Sequence, residues 1–300
     1  MSREELTIID GTALLFRMYF AGIEHQSRKG VEVGGVMGTV RTLAAIVEKL
    51  KSRYFAIVFD AGMKTFRNDI ISTYKANRGQ PPLDLKPQFD LLFRASQELG
   101  FQTFRKPGYE ADDLVATIAM HFHRRGIPVK MLTNDKDVAQ LVTDSPTPIH
   151  QVLYFKKQIL GEKEIFDNFG VRPQQFIDYQ SLIGDTSDNI SGVKGVGKKS
   201  AAGLLQHFSD LDDIYENLDE VLTLSLRGAK SLKSKLEKGK EDAYLSKRLV
   251  TLDCSVPIEL GEVASFQYQG PAENGEDFFE ELGFVWPLHK LQRYAYNQSF

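Results

Sequence analysis

Nine acidic side chains stand where a folded α/β sheet would gather them: Asp10, Asp60, Glu110, Asp112, Asp113, Asp135, Asp137, Asp185 and Asp188. Asp10, Asp60 and Asp135 close the short apolar runs LTIID, FAIVFD and VKMLTND, which read as buried strands. In an open parallel sheet the ligand crevice lies outside the carboxyl ends of the strands. Carboxylates packed there at about 4 Å repel by roughly 4 kcal/mol per pair at an effective dielectric near 20. Bound cations or protonation relieve that repulsion. Oxygen donors without paired Cys or His favour Mg²⁺ or Mn²⁺. The chemistry indicated is therefore metal-dependent.

The acids fall in short motifs. GYEADD (108–113) sets three of them at a helix N-terminus, where the dipole favours negative charge, with Glu110 and Asp113 on one face. TNDKD supplies Asp135 and Asp137, and GDTSDN supplies Asp185 and Asp188. Any one of these alone reads equally as a cap or a polar turn. Their convergence with three strand ends is what points to a metal site.

A second motif, GVKGVGKKSA (192–201), lies between helical stretches at Pro173–Ile183 and Lys198–His207. Gly195 and Gly197 let the backbone turn and approach a ligand. Free N–H groups with Lys194, Lys198 and Lys199 beside them suit a phosphate. This is a helix–hairpin–helix pattern, a sequence-independent grip on a DNA backbone; the alternative is a plain Gly-rich turn. Neither a P-loop nor a dinucleotide fingerprint is present.

Between Thr65 and Leu83 regular patterning fails, over a length that suggests a functional loop. Phe66, Arg67, Tyr74, Lys75 and Arg78 interleave cations with aromatics, which suits a splayed nucleic acid; a solvated basic loop is the equal alternative. The basic run Arg227, Lys230, Lys233, Lys235, Lys238 and Lys240 reads as a solvated helix face or a duplex contact. His123, His150, His207 and His289 lack ligand spacing and read as structural or surface residues. Cys254 stands in no nucleophile motif.

The elements that must position these residues alternate in type. Strands are expected at Leu6–Asp10, Phe55–Asp60 and Val129–Thr133. Helices are expected at Thr12–Tyr19, Gly38–Lys51, Leu85–Leu99 and Glu110–Arg125, with Asp135 capping another. Ile149–Ile159 reads as a hairpin. From Lys163 the chain reads helical, with the next strand near Val256 and a loose loop at Pro271–Asp277. The pattern predicts a mostly parallel sheet with helices on both faces, over residues 1–170, then a mainly helical region, 171–300.

Composition agrees with a globular protein, with 42% hydrophobic residues; the net charge of −3 argues against a uniformly basic nucleic-acid binder but leaves room for local basic surface beside the acidic cluster. One cysteine suggests a reducing compartment. No signal peptide, transit peptide or membrane span is expected, which points to the cytoplasm, with nucleoid association if the source is bacterial.

IIDG, VFDA, the FR…YKANR stretch, PGYEADD, TNDKD, GDTSDN and GVKGVGKKSA occur here in one order over about residues 5–290. That order resembles the 5′ nuclease (flap endonuclease-like) superfamily, above all the 5′→3′ exonuclease domain of bacterial DNA polymerase I. The resemblance implies a PIN-like core with an arch-like segment at about 65–83, followed by a DNA-gripping helical region. It implies a 5′→3′ exonuclease and 5′-flap endonuclease using two or three divalent ions. By the same resemblance Asp10, Asp60, Glu110 and Asp112 hold the first ion. Asp135, Asp137 and Asp185 hold the second with Asp112 shared, and Asp113 and Asp188 act as outer ligands. Lys75 and Arg78 reach the scissile phosphate, Tyr74 stacks, and Arg67 belongs to the DNA-binding set. Relatives hold K⁺ through hairpin carbonyls, which correspond to Leu182, Ile183, Ser191, Val193 and Val196. DNA with 5′ ends or flaps is the implied substrate, with RNA primers on DNA a further candidate, and the expected state is a monomer. The chain departs from polymerase I relatives at Phe20, where they usually carry His. It also stops near where a polymerase I continues, so no polymerase is expected in this stretch. Two rivals are a junction-binding module that has lost its ligands and a phosphatase of the haloacid dehalogenase type. All nine acids are present, against the first. Gly11-Thr12 follows Asp10 where the second needs another Asp.

Overall fold

The computed structural model describes residues 4–50, 52–226, 228–272, 275–284 and 291. In chain order the elements of its first half are β1 (Leu6–Asp10), α1 (Gly11–Phe20), α2 (Gly34–Leu50), β2 (Tyr54–Phe59), α3 (Phe66–Ile70), α4 (Lys86–Glu98), β3 (Gln102–Arg105), α5 (Ala111–His123), β4 (Val129–Leu132), β5 (Ile149–Leu153) and β6 (Gln158–Leu160). Helices follow: α6 (Glu162–Phe169), α7 (Phe176–Ile183), α8 (Lys198–His207), α9 (Leu211–Glu216), α10 (Ala229–Lys238), α11 (Lys240–Val250) and α12 (Gly275–Glu281).

The six strands lie in the order β3-β2-β1-β4-β5-β6, and all pairings are parallel except β5 with β6. Leu6 of β1 pairs with Tyr54 on one side and Val129 on the other. The chain winds outward through β2 and β3, then returns to place β4 on the free side of β1. That reversal is the switch point at which open α/β sheets form their crevice. Asp10 ends β1 at this point, and Asp135 follows β4.

Both faces of the sheet are covered, which explains the unbroken apolar runs. Leu6 and Ile8 pack with Leu114, Ile118 and Phe122 of α5. Ile9 and Ile57 point the other way, into a cluster with Leu15 of α1, Val40 and Leu43 of α2, and Leu92 of α4. Helix Lys198–His207 and the β5–β6 hairpin match expectation. No helix among the described residues is long and apolar enough to cross a membrane.

Three elements differ from the sequence reading. Strand β3 falls where no strand is expected: QTFR is a four-residue edge strand with no fully buried position, so it carries little apolar signal. The strand expected near Val256 is absent among the described residues. There the backbone N–H groups of Leu252, Asp253 and Val256 donate to the side chains of Gln140, Asp113 and Thr117 at 2.9–3.1 Å rather than to a ladder. The loose loop at Pro271–Asp277 gives way to α12 from Gly275, with residues 273 and 274 outside the described set. Arg227 and His289 also lie outside it.

Candidate active site

Strand ends and helix starts deliver the acids to one place. Asp10 caps α1: its Oδ1 accepts from the Ala13 N–H at 2.8 Å, and its Oδ2 accepts from the Thr133 hydroxyl at 3.1 Å. Asp60, one residue past β2, accepts at Oδ1 from the Ala111 N–H at 2.8 Å, which ties β2 to the start of α5. Glu110 is the N-cap residue of α5, and oxygens of Glu110, Asp112 and Asp113 lie within 4.8 Å of one another. Past β4, Asp135 accepts from the Asp137 N–H at 2.9 Å, and Asp137 accepts from Gln180 Nε2 at 2.7 Å.

Asp185 and Asp188 arrive on a loop closed by a backbone crossing. Asp185 and Ile190 exchange N–H···O bonds at 2.9 and 2.8 Å, and the Val193 N–H reaches the Leu182 carbonyl at 2.8 Å. A Cβ on Gly192 (φ +59°) would sit 2.2 Å from the Gly184 nitrogen, so this crossing requires glycine.

Basic side chains stitch the acids together. Lys136 bonds Asp185 and lies 3.2 Å from Asp137. Lys75 bonds Glu110 and lies 3.6 Å from Asp188, to which Arg78 also pairs. Lys75 itself holds a left-handed φ of +54°, and its N–H donates to the Asp188 carbonyl at 2.9 Å.

Burial raises several of these acids. The Asp10 carboxyl is pushed up to about 7 by burial, with Asp60 and Asp135 adding repulsion. Burial and Asp135 push Asp137 up to about 6. Asp60 is raised by burial and by Glu110, and Asp112 well above the usual range by burial and then by Asp113 and Glu110. At Asp185 burial pushes the same way, but hydrogen bonds from Lys136 and Ser187 outweigh it and hold the acid low. Acids raised by burial and by one another fit a site that takes cations, and its donors are carboxylate oxygens, which suit hard divalent ions.

Comparison with known proteins decides the family. The model of the 5′-3′ exonuclease N-terminal resolvase-like domain matches residues 5–170, and that of the 5′-3′ exonuclease C-terminal SAM fold matches residues 171–274. The chain belongs to the 5′-3′ exonuclease family. A Bacillus subtilis protein named 5′-3′ exonuclease is 36% identical over 263 residues, covering 86% of each chain. DNA polymerase I of Pseudomonas aeruginosa is 38% identical over 296 residues, covering 98% of this chain but 32% of the polymerase. Among solved structures, T5 5′-exonuclease with bound zinc superposes with a TM-score of 0.69 at 21% identity, covering 98% of this chain and 97% of the other. The bacteriophage T5 flap endonuclease in a pseudo-enzyme-product complex with DNA and metal ions gives 0.67 at 23% identity, covering 93% and 100%. At these identities the structural likeness is one of fold.

In this exonuclease three residues have partners that the motifs do not reveal. Arg67 is buried: its guanidinium forms a two-point pair with Asp113 and donates from Nε to the Leu249 carbonyl at 2.8 Å. It is an internal brace rather than a DNA contact. Asp113 is its counterpart. Both its oxygens accept from Arg67, and they also take the N–H groups of Glu110 and Asp253 at 3.1 and 2.9 Å. Asp113 thus anchors Arg67 while its oxygens stay within 4.8 Å of those of Glu110 and Asp112. Tyr74, 4% exposed, packs with Ile190, Leu249 and Val250, and its hydroxyl donates to Glu110 at 2.8 Å and Asp188 at 3.1 Å. Its ring is thus closed to a stacking base.

The exonuclease also uses residues that the motifs do not single out. Thr12 accepts from the Asp60 N–H at 2.9 Å, and Thr133 orients Asp10. Lys136 is legible in the sequence, being the one cation inside TNDKD. Gln180, which lies in no motif, is not.

At the hairpin, Lys194, Lys198 and Lys199 are exposed and join no ion pair among the described residues. Gly195 has φ +82°, as a turn glycine should, and its carbonyl accepts from Lys235 Nζ at 3.1 Å. Gly197 caps α8 with φ −103° and has open space around its Cβ position. Of the carbonyls matched to a K⁺ site, Leu182 and Val193 each accept one backbone bond, from Val193 and Val196. Of the remaining basic run, Lys230, Lys233, Lys235 and Lys238 lie on α10, where Lys233 pairs with Asp219 and Glu237, and Lys240 opens α11. His150 pairs with Asp144 and His123 bonds the Thr147 carbonyl, both structural roles.

Proposed function

We propose that this chain hydrolyses DNA phosphodiester bonds at 5′ ends and 5′ flaps with two or three Mg²⁺ or Mn²⁺ ions. The observation that carries the reading is that acids from four segments face one another, Asp10 with Asp60 and Asp135, and Asp112 with Glu110, Asp113 and Asp135. On this reading Asp10, Asp60, Glu110 and Asp112 would hold one ion, and Asp135, Asp137 and Asp185 a second with Asp112 shared, Asp113 and Asp188 acting as outer ligands. Lys75 joins Glu110 to Asp188, and Lys136 joins Asp137 to Asp185. Two bound ions would supply an activated water and neutralise charge on the attacking and leaving oxygens.

The protein's own groups do the rest. Lys75 and Arg78, which now neutralise Glu110 and Asp188, stand where the same contacts can pass to a phosphate. Tyr74 and Arg67 hold the segment that carries them. Residues 1–170 form the catalytic part, with 65–83 lying over the acids, and 171–300 the part that grips duplex. There Lys194, Gly195, Gly197, Lys198 and Lys199 would meet the backbone, and K⁺ bound by the carbonyls of Leu182, Ile183, Ser191, Val193 and Val196 would bridge the hairpin to a phosphate. We place the protein in the cytoplasm, on nucleoid DNA if bacterial, as a monomer that also accepts RNA primers on DNA.

The deciding experiment offers a 5′-flap DNA with and without Mg²⁺. Release of the flap only with Mg²⁺ is expected; tight binding without cleavage would favour the junction-binding alternative. Replacing K⁺ by a larger organic cation should weaken duplex binding if the hairpin holds the ion.

A further inference from the structure

Lys136 stands between Asp135 and Asp137 of TNDKD, on a turn with a pinned backbone. Asp135 Oδ1 accepts from the Asp137 N–H at 2.9 Å, and the Asp135 N–H donates to the Thr133 hydroxyl at 3.1 Å. Buried Gln151 donates from Nε2 to the carbonyls of Thr133 and Asp135 at 3.1 and 2.7 Å. The lysine side chain itself is 41% exposed, and its ammonium bonds Asp185 and lies 3.2 Å from Asp137 Oδ1.

What this contact does depends on the oxygens around it. Asp185 Oδ1 accepts from the Ser187 N–H at 2.8 Å and from the Ser187 hydroxyl at 2.6 Å, both within its own loop. Asp185 Oδ2 accepts from Lys136 alone among the described residues. Asp137 Oδ1 takes Lys136 and also Gln180 Nε2 at 2.7 Å. The Asp185 oxygen best placed to serve an ion is therefore the one the ammonium holds. Asp10 and Asp60 differ: their oxygens accept from backbone N–H and hydroxyl groups, and neither acid joins an ion pair among the described residues.

A divalent ion and an ammonium cannot share one carboxylate oxygen without strong like-charge repulsion. Ion binding at Asp185 thus requires Lys136 to leave, and the apparent affinity falls by the fraction of molecules in which it has left. A lysine so released is a compact charge with three donors on a flexible stem, well suited to a phosphate oxygen.

We propose that Lys136 is a tethered competitor for the second ion position, and that it yields Asp185 to the ion when a phosphate of bound DNA takes up its ammonium. The proposal rests on the reading of the chain as a metal-dependent nuclease with Asp137 and Asp185 as ligands. It adds that full ion occupancy is withheld until DNA is in place. The coupling is reciprocal: the ion and the phosphate each tighten the other.

The test titrates Mn²⁺ into the full chain and reads unbound Mn²⁺ from its electron paramagnetic resonance signal. Titrations are run with and without a duplex already cut and bearing a 5′-phosphate at the cut. Wild type without DNA should show one tighter and one weaker Mn²⁺. Lys136→Met, which keeps the stem and removes the charge, should tighten the weaker constant roughly tenfold or more. Lys136→Arg, which keeps a charge, should leave it weak. The cut duplex should tighten it roughly five- to a hundredfold in the wild type and far less in Lys136→Met. Thermal melting checks that each variant is folded, and Lys136→Gln serves the same comparison if the methionine variant is not. A weaker constant that is unchanged or further weakened in a folded, uncharged variant would overturn the proposal and make Lys136 a brace for the acids. Equal tightening by the cut duplex in wild type and Lys136→Met would overturn the coupling to phosphate. A wild type that binds no Mn²⁺ would sink this proposal and the nuclease reading together. One that binds two ions but cuts no 5′ flap would fail the nuclease reading alone, while the titration still decides the competition.

Discussion

Arg67 Nη1 lies 2.7 Å from Asp113 Oδ2, and Nη2 lies 2.8 Å from Oδ1, with the two side chains 1% and 0% exposed. This pair ties α3 to α5, and the same guanidinium holds the Leu249 and Thr251 carbonyls at the end of α11. Removing one member of such a pair leaves the other buried and unpaired, at about 3–5 kcal/mol. Arg67→Ala should therefore lower unfolding stability by that amount in urea, and Arg67→Met with Asp113→Leu should recover much of it. An Arg67→Ala protein of native stability, with a reduced salt dependence of DNA binding, would return Arg67 to the DNA interface.

Asp10, pushed up to about 7, and Asp137, to about 6, bind protons more tightly folded than unfolded. Their contribution to stability is full below the ordinary carboxylate range near pH 4 and is lost as pH rises through about 6 to 7. Without metal the melting temperature should fall across that interval. Ion ligands must be ionised, so the stabilisation by Mg²⁺ should grow over the same interval. Asp185, held low, works in the opposite sense and only at more acid pH. Differential scanning fluorimetry at pH 5 to 8 checks this; a Mg²⁺ shift independent of pH would exclude Asp10 and Asp137 as ligands.

Asp10→Ala and Asp185→Ala should abolish most cleavage while leaving the fold intact, and Asp10→Ala should raise metal-free stability at pH 8 by relieving repulsion. Lys75→Ala should slow single-turnover cleavage by about a hundredfold or more, with a much smaller change in DNA affinity. A Lys75→Ala enzyme of normal rate at saturating enzyme concentration would make Lys75 an ordinary tether.

Two glycines of the hairpin region should behave oppositely. Gly192→Ala places a Cβ 2.2 Å from the Gly184 nitrogen at a left-handed φ, so it should disturb the loop of Asp185 and Asp188 and reduce both stability and cleavage. Gly197→Ala meets nothing within 4 Å of the protein and should leave stability unchanged. Similar melting temperatures for the two variants would show that the crossing does not hold the acids.

Lys198→Ala with Lys199→Ala should weaken duplex binding for all sequences alike. It should also flatten log K against log salt by up to about 0.9 for each phosphate that the lysines no longer neutralise. Single-strand binding should change much less. An unchanged slope would move the duplex grip to α10.

The sequence by itself determined the metal chemistry and the sheet. Buried parallel strands announce themselves as apolar runs, and Asp10 and Asp60 could be placed at strand ends because burial and strand length are local properties. Motif order likewise disclosed the family. It could not show that Asp113 meets Arg67 or that the Tyr74 ring is buried. Adjacent residues on a helix or turn point in different directions, and which direction meets the ion site depends on distant partners. Asp113 turns to Arg67, 46 residues earlier, and Tyr74 to Asp188, 114 residues later. The edge strand β3 and the segment after α11 were illegible for the same reason: their backbone bonds are completed by residues far off in the chain, and no local periodicity records them. Only the packed structure decides which charges are neutralised internally and which remain to meet a ligand, because that depends on burial and on contacts between remote elements.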